Sequence, residues 1–126
     1  MIKREANATI QWNNYLRKDR TIFGAFELKQ TQTEKLYFSS FEPQQIDSLM
    51  AIEEGGLTWK ISDADPRLKP CDVIVLPPSP AYVVIKYPDC FTMIRVTDFV
   101  NFMNNTQNSY ISYKEAKEIS TKNIVI

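Results

Sequence analysis

Three short apolar stretches, CDVIVL (71–76), AYVVIKY (81–87) and FTMIRV (91–96), follow one another with only PPSP and PDC between them. Each has the length of a strand and is rich in β-branched or aromatic residues, and Pro88-Asp89 is a natural tight turn between the last two. With LTWKI (57–61) ahead of them they predict four strands, so the chain has to build a sheet and cover it. At 126 residues and 44% hydrophobic content it can bury one core but not two comfortable ones, and a single domain over 1–126 is expected. Three glycines, seven prolines and the lack of any repeated or low-complexity segment set aside disordered, collagen-like and repeat architectures.

The remaining elements are read from period and punctuation. Residues 3 to 17 carry Ala6, Ile10 and Leu16 with Trp12 and Tyr15 nearby and no Gly or Pro, which predicts a first helix of moderate amphipathicity, followed by the polar turn RKDR. TIFGAFEL (21–28) predicts a strand, and LYFSSF (36–41) a short strand returning beside it after QTQTEK. Pro43 suits a first helical position, Ile46, Leu49 and Met50 share one face, and Gly55-Gly56 supplies a stop, so residues 43 to 54 are expected as a helix. Asp98 is expected to cap a helix carrying Phe99, Phe102 and Met103, and the box Ser112-x-x-Glu115 to open a short last helix. Residues 104 to 111, NNTQNSYI, read as a surface loop, which makes 104–126 a peripheral loop and helix. The sum is an α/β or α+β layered domain, with helices packed on a mixed sheet.

Composition narrows the function. No apolar run approaches the ~20 residues of a membrane span, and the charged start MIKREANATIQW lacks the apolar core of a signal peptide, so a cytoplasmic protein with no membrane contact is expected. Cys71 and Cys90 lie in strand-like segments without metal-knuckle or disulfide spacing and read as buried thiols. Histidine is absent, which removes the usual His-type zinc sites, Ser-His-Asp triads and Cys-His nucleophiles. Catalysis would have to run on carboxylates, lysine, tyrosine or an oxygen-ligated metal. Net charge is zero, without a global basic signature, but the first twenty residues hold Lys3, Arg4, Arg17, Lys18 and Arg20 against Glu5 and Asp19. Arg17, Lys18 and Arg20 are the candidate nucleic-acid contacts.

GAFELKQT (24–31) puts opposite charges inside an apolar strand. Residues two apart on a strand share a face, so Glu27 and Lys29 project together while Phe26 and Leu28 turn to the core. A carboxylate beside an ammonium on a rigid strand can hold a divalent cation while the lysine steadies a water or a developing phosphorane charge. The spacing alone arises by chance about once in a chain this long. A second match, Glu115-Ala116-Lys117, falls in the expected last helix, where residues two apart lie on different faces. The plain alternative for Glu27 and Lys29 is an ion pair on the exposed face of the sheet. A metal site also needs a second carboxylate. Asp72, at the mouth of an apolar strand, is the first candidate, though it also suits a strand-entry turn; Asp63 and Asp65 look like loop carboxylates, and Glu5 comes last.

The order FELKQT, LYFSSF, a helix opening EPQQIDSL, then GLTWKI resembles the core of the PD-(D/E)xK nuclease superfamily, most closely its Holliday junction resolvase-like proteins, including small phage-encoded ones. In those relatives the acid-x-lysine strand is followed by a helix beginning His-Gln; Gln44-Gln45 stands there, so Gln45 matches and the histidine does not. KPCDVIVL and PAYVVIKYP also resemble the phage branch, which keeps a Lys-Pro-x-Asp strand and a Pro-Ala-Tyr strand. The likeness covers roughly residues 5 to 100. It implies a restriction-endonuclease-like mixed sheet flanked by helices, and a magnesium- or manganese-dependent endonuclease acting on DNA, with branched DNA as the substrate class and a homodimer matched to the two-fold symmetry of a junction. For a phage-encoded protein the location would be the host cytoplasm. Glu27 would ligate the metal, Lys29 would orient or stabilise the nucleophilic water, and Gln45 would position water or phosphate. The superfamily supplies a further acid from a strand just before the acid-x-lysine strand, whereas the only acid near that place here is Asp19, in a turn. Either Asp72 takes over as second metal ligand from an adjacent strand, an inference from its position, or that ligand is missing. In the second case the fold would be a catalytically inactive nucleic-acid-binding or interaction module.

Overall fold

A computed structural model of the chain describes residues 2–60 and 73–125, without the side chains of 2–6, 57–60 and 73–75. The apolar block forms the centre of the sheet. β5 (Ala81–Tyr87) and β6 (Cys90–Arg95) make an antiparallel hairpin in which Tyr87 faces Cys90 across the two-residue turn Pro88-Asp89. β1 (Ala25–Gln30) adds parallel to β5, and β8 (Lys122–Val125) adds antiparallel to β6, giving a mixed sheet of order β1-β5-β6-β8.

Both faces of the hairpin are buried, so both need covering. On one face Tyr82, Val84, Phe91 and Met93 pack with Trp12, Tyr15 and Leu16 of α1 (Ile2–Lys18). On the other, Val83, Ile85 and Ile94 lie in one core with residues of α2 (Pro43–Gly55), α3 (Val96–Asn105) and α4 (Tyr113–Ile119). α4 opens as expected: the Ser112 hydroxyl accepts from Glu115 N–H at 3.2 Å, and Glu115 Oε1 accepts from Ser112 N–H at 3.1 Å. Cys90 is a buried free thiol. Among the described residues no helix is long and apolar enough to cross a membrane.

Four expectations are corrected. The return strand does not lie beside β1: β2 (Lys35–Tyr37) pairs with β7 (Tyr110–Ser112), and residues 38–40 turn into a 3-10 helix. The parallel partner β5 takes the position next to β1, while Leu36 of β2 finds its apolar contact in the α2-side core. The surface loop expected over 104 to 111 shrinks to 106–109, because α3 runs to Asn105 and β7 drives Ile111 into the core with no exposed area. The segment 104–126 is therefore not peripheral, and β8, which the sequence reading missed, forms an edge of the main sheet. Asp98 does not cap α3; Arg95 holds that place and Asp98 sits in the first turn.

Two junctions depend on glycine. Gly24 leads into β1 at φ +140°, where a Cβ would stand 2.2 Å from the Pro80 carbonyl oxygen, the group that accepts from Ala25 N–H. Gly56 ends α2 at φ +74°, with Leu76 O 2.2 Å from where its Cβ would be. β3 (Leu57–Lys60) and β4 (Val73–Leu76) then form a separate antiparallel pair.

Phe99, fully buried on α3, packs tilted against Phe41 at 5.2 Å and edge-on against Phe38 at 5.9 Å between ring centroids, and so ties α3 to the segment that leads into α2. Phe99→Ala is expected to cost about 3–5 kcal/mol in a urea denaturation series, the loss typical of emptying a phenyl-sized site.

Candidate functional site

Glu27 and Lys29 do share a face of β1, and it is the α2 face. In the parallel register Glu27 lies beside Val83 and Lys29 beside Ile85, both fully buried, whereas Phe26 and Leu28 pack on the α1 side. The charged pair can stand there because β1 is an edge strand and its side chains reach past the rim of the core. The Glu27 side chain keeps 26% of its exposure and Lys29 only 13%.

Lys29 Nζ lies 3.7 Å from Glu27 Oε1, a loose ion pair, and 5.4 Å from the centroid of the Phe41 ring. A half-buried ammonium is thus held between a carboxylate and an aromatic face, with limited water around it, where its field acts more strongly than in bulk solvent. Phe41 is the residue before the N-cap Glu42 of α2, so the pair and the start of this helix are neighbours. Phe41 and Ile46 occupy the positions of a hydrophobic staple and belong to the same core, which fixes how the chain enters α2. The sequence reading did not single out Phe41; an aromatic directly before a Glu-Pro helix start was the available signal.

Gln45 is engaged locally. Its side-chain oxygen accepts from Glu42 N–H at 3.0 Å, and its own N–H donates to Glu42 O at 2.9 Å. Glu42-x-x-Gln45 is capping-box spacing, a signal legible in the sequence.

The basic residues are elsewhere. Arg17 and Lys18 are exposed in the last turn of α1 and Arg20 just beyond it, on the opposite face of the sheet from Glu27 and Lys29. Lys18 borders a groove of about 230 Å³ between α1 and β8, beside Tyr15, Phe91 and Val125.

Asp19 is also remote. Lys122 Nζ donates to its Oδ2 at 2.6 Å, Tyr15 O–H to the same oxygen at 3.3 Å, and Thr21 donates to Oδ1 from N–H at 3.1 Å and from the hydroxyl at 2.5 Å. Lys122 lies in one row across the sheet with Met93, Val84 and Leu28, so it stands on the α1 face, three strand spacings or ~14 Å from β1. Asp19 therefore ties α1 to β8 and supplies no second acid to Glu27.

Asp63, Asp65, Cys71 and Asp72 lie outside the described residues, as do the side chains of Lys3, Arg4 and Glu5. The strand that follows Asp72 pairs with β3 and, among the described residues, not with β1. Among the described residues no group of three or more acidic or Cys side chains is placed to hold a metal ion. No protein-family model, curated protein or solved structure matches the chain.

The Lys122 hydrogen bond, then those from Thr21, hold the Asp19 carboxyl far below the usual carboxylate range, and the Asp19 bond raises Lys122. A depressed acid stabilises the fold above its unfolded pKa of about 3.9 and loses that contribution as pH falls; a raised lysine contributes below about 10.4 and loses it as pH rises. The melting temperature of Asp19→Asn should thus fall furthest below wild type between about pH 5 and 9, with the gap narrowing below about pH 4.

Proposed function

We propose that the chain is a nuclease-like hydrolase of DNA phosphodiester bonds, with branched DNA as its substrate class and Glu27 and Lys29 as its polar centre. The observation that carries the reading is the pair itself: acid and lysine on one face of a strand, half-buried, beside the start of α2. An ammonium confined in this way is suited to a non-bridging phosphoryl oxygen, and a carboxylate beside it to accepting a proton or hydrogen bond from an attacking water.

Magnesium or manganese, when bound, would polarise the phosphoryl oxygen and lower the pKa of the water. Among the described residues Glu27 belongs to no group of three or more acidic or Cys side chains placed for a metal, and alone it does not fit a divalent ion, which takes further hard oxygen ligands. Completion of a metal site rests on Asp72. A homodimer would match the two-fold symmetry of a four-way junction.

A second reading, a binding module without turnover, is favoured by one observation: Lys29 is already engaged by Glu27 and Phe41. Cleavage of a labelled four-way junction, a linear duplex and a single strand, in magnesium and in manganese, separates the two. Wild type is expected to cut, and Glu27→Gln, Lys29→Met and Asp72→Asn to lose about 100-fold or more in rate while junction binding is kept. A wild type that binds DNA but cuts nothing in either metal would give the fold to the second reading.

A further inference from the structure

The β2–β7 ribbon has an inner and an outer face. Leu36 and Ile111 are paired in register and anchor the inner face in the core. On the outer face Tyr37 stands directly opposite Tyr110, with ring centroids 5.6 Å apart and planes at 61°, and Lys35 Nζ lies 4.6 Å from the Tyr110 centroid. Tyr37 is 49% exposed, an open ring surpassed among the described aromatics by Phe23 at 67%.

Burial of the inner pair already anchors the ribbon, so anchoring does not require two tyrosines and a lysine on the outside. What this combination fits is a nucleic-acid strand. Every base has a face that can stack on an exposed ring, and a cation alongside can meet the phosphate that flanks it. The ribbon also adjoins the candidate centre. Phe38 N–H donates to Ser109 O at the end of the ribbon, Phe41 N–H donates to Phe38 O, and the Phe41 ring lies under Lys29.

We infer that the outer face of the β2–β7 ribbon is a stacking platform for an unpaired base, with Tyr37 providing the open ring and Lys35 the contact to the adjacent phosphate. The inference rests on the reading that this chain acts on nucleic acid, and it adds a preference for substrates with unpaired nucleotides beside the site of attack.

The test is fluorescence anisotropy with a labelled oligothymidylate and a blunt duplex over a range of salt concentrations, in EDTA so that cleavage does not enter. Wild type, Tyr37→Ala, Tyr37→Phe and Lys35→Gln would be compared, with melting temperatures as a check on folding. Tyr37→Ala is expected to weaken oligothymidylate binding about tenfold and Tyr37→Phe to retain it, with duplex binding unchanged. Lys35→Gln is expected to lower the slope of log affinity against log salt by roughly 0.7, the share of one single-strand phosphate contact.

Equal affinity of Tyr37→Ala and wild type, an equal loss in Tyr37→Phe, or a wild type that does not bind oligothymidylate at low salt would each overturn the inference. Binding through Tyr37 without any cutting would leave it standing and remove the hydrolase reading. Cutting with binding indifferent to Tyr37 and Lys35 would do the reverse.

Discussion

The two-sided burial of the β5–β6 hairpin is the constraint from which the rest of the structure follows. Ala81 to Ile85 and Cys90 to Ile94 are buried almost without a break, so neither face can be left to water. Covering one face takes the aromatic side of α1, and covering the other takes α2, α3 and α4 together with Leu36 and Ile111 from the small ribbon. Hydrophobic burial of this kind is non-directional, and it is the hydrogen-bonded ladder that orders it: β1 joins in parallel because the crossover through α2 returns the chain in the same sense. The turn at Pro88-Asp89 then sends β6 back antiparallel.

An edge position in that sheet is what makes a charged pair on β1 tolerable. At the centre of the same sheet, Glu27 and Lys29 would bear the desolvation cost of two ions among apolar neighbours. At the rim each keeps part of its hydration, and Lys29 gains a carboxylate and an aromatic face as partners. The segment from Phe38 to Glu42 matters for the same reason. Its rings are held by Phe99, its backbone turns into α2, and it carries the aromatic that Lys29 lies against, so the position of the lysine depends on the packing of a helix more than fifty residues away in the chain.

Local signals were legible where local physics decides the outcome. The helix over 43–55, the β5–β6 turn and the Ser112–Glu115 box are each set by neighbouring residues, through proline geometry, turn chemistry or a side chain reaching a backbone amide. The shared face of Glu27 and Lys29 follows from strand alternation in the same way. Failures fell where a partner distant in sequence decides. β2 chose β7 over β1, and NNTQNSYI hid a buried isoleucine because a three-residue strand has too short a period to read. KNIV (122–125) carries too few apolar residues to declare itself an edge strand. The capping geometry of Gln45 is local in the same way, already written in Glu42-x-x-Gln45.

By itself, then, the sequence determined that strands would form at 57–60, 73–76, 81–87 and 90–95, where α2 would begin and end, and which side chains alternate across β1. It determined these because φ/ψ preferences, turn residues and hydrophobic period act within a few residues of one another. Only the tertiary structure decided which strands became neighbours, that Asp19 serves Lys122 on the α1 face and not Glu27 on the other, and that Lys29 rests on Phe41. Those outcomes depend on how two faces of one hairpin are shared among four helices and a ribbon, a competition for buried surface between segments far apart in the chain.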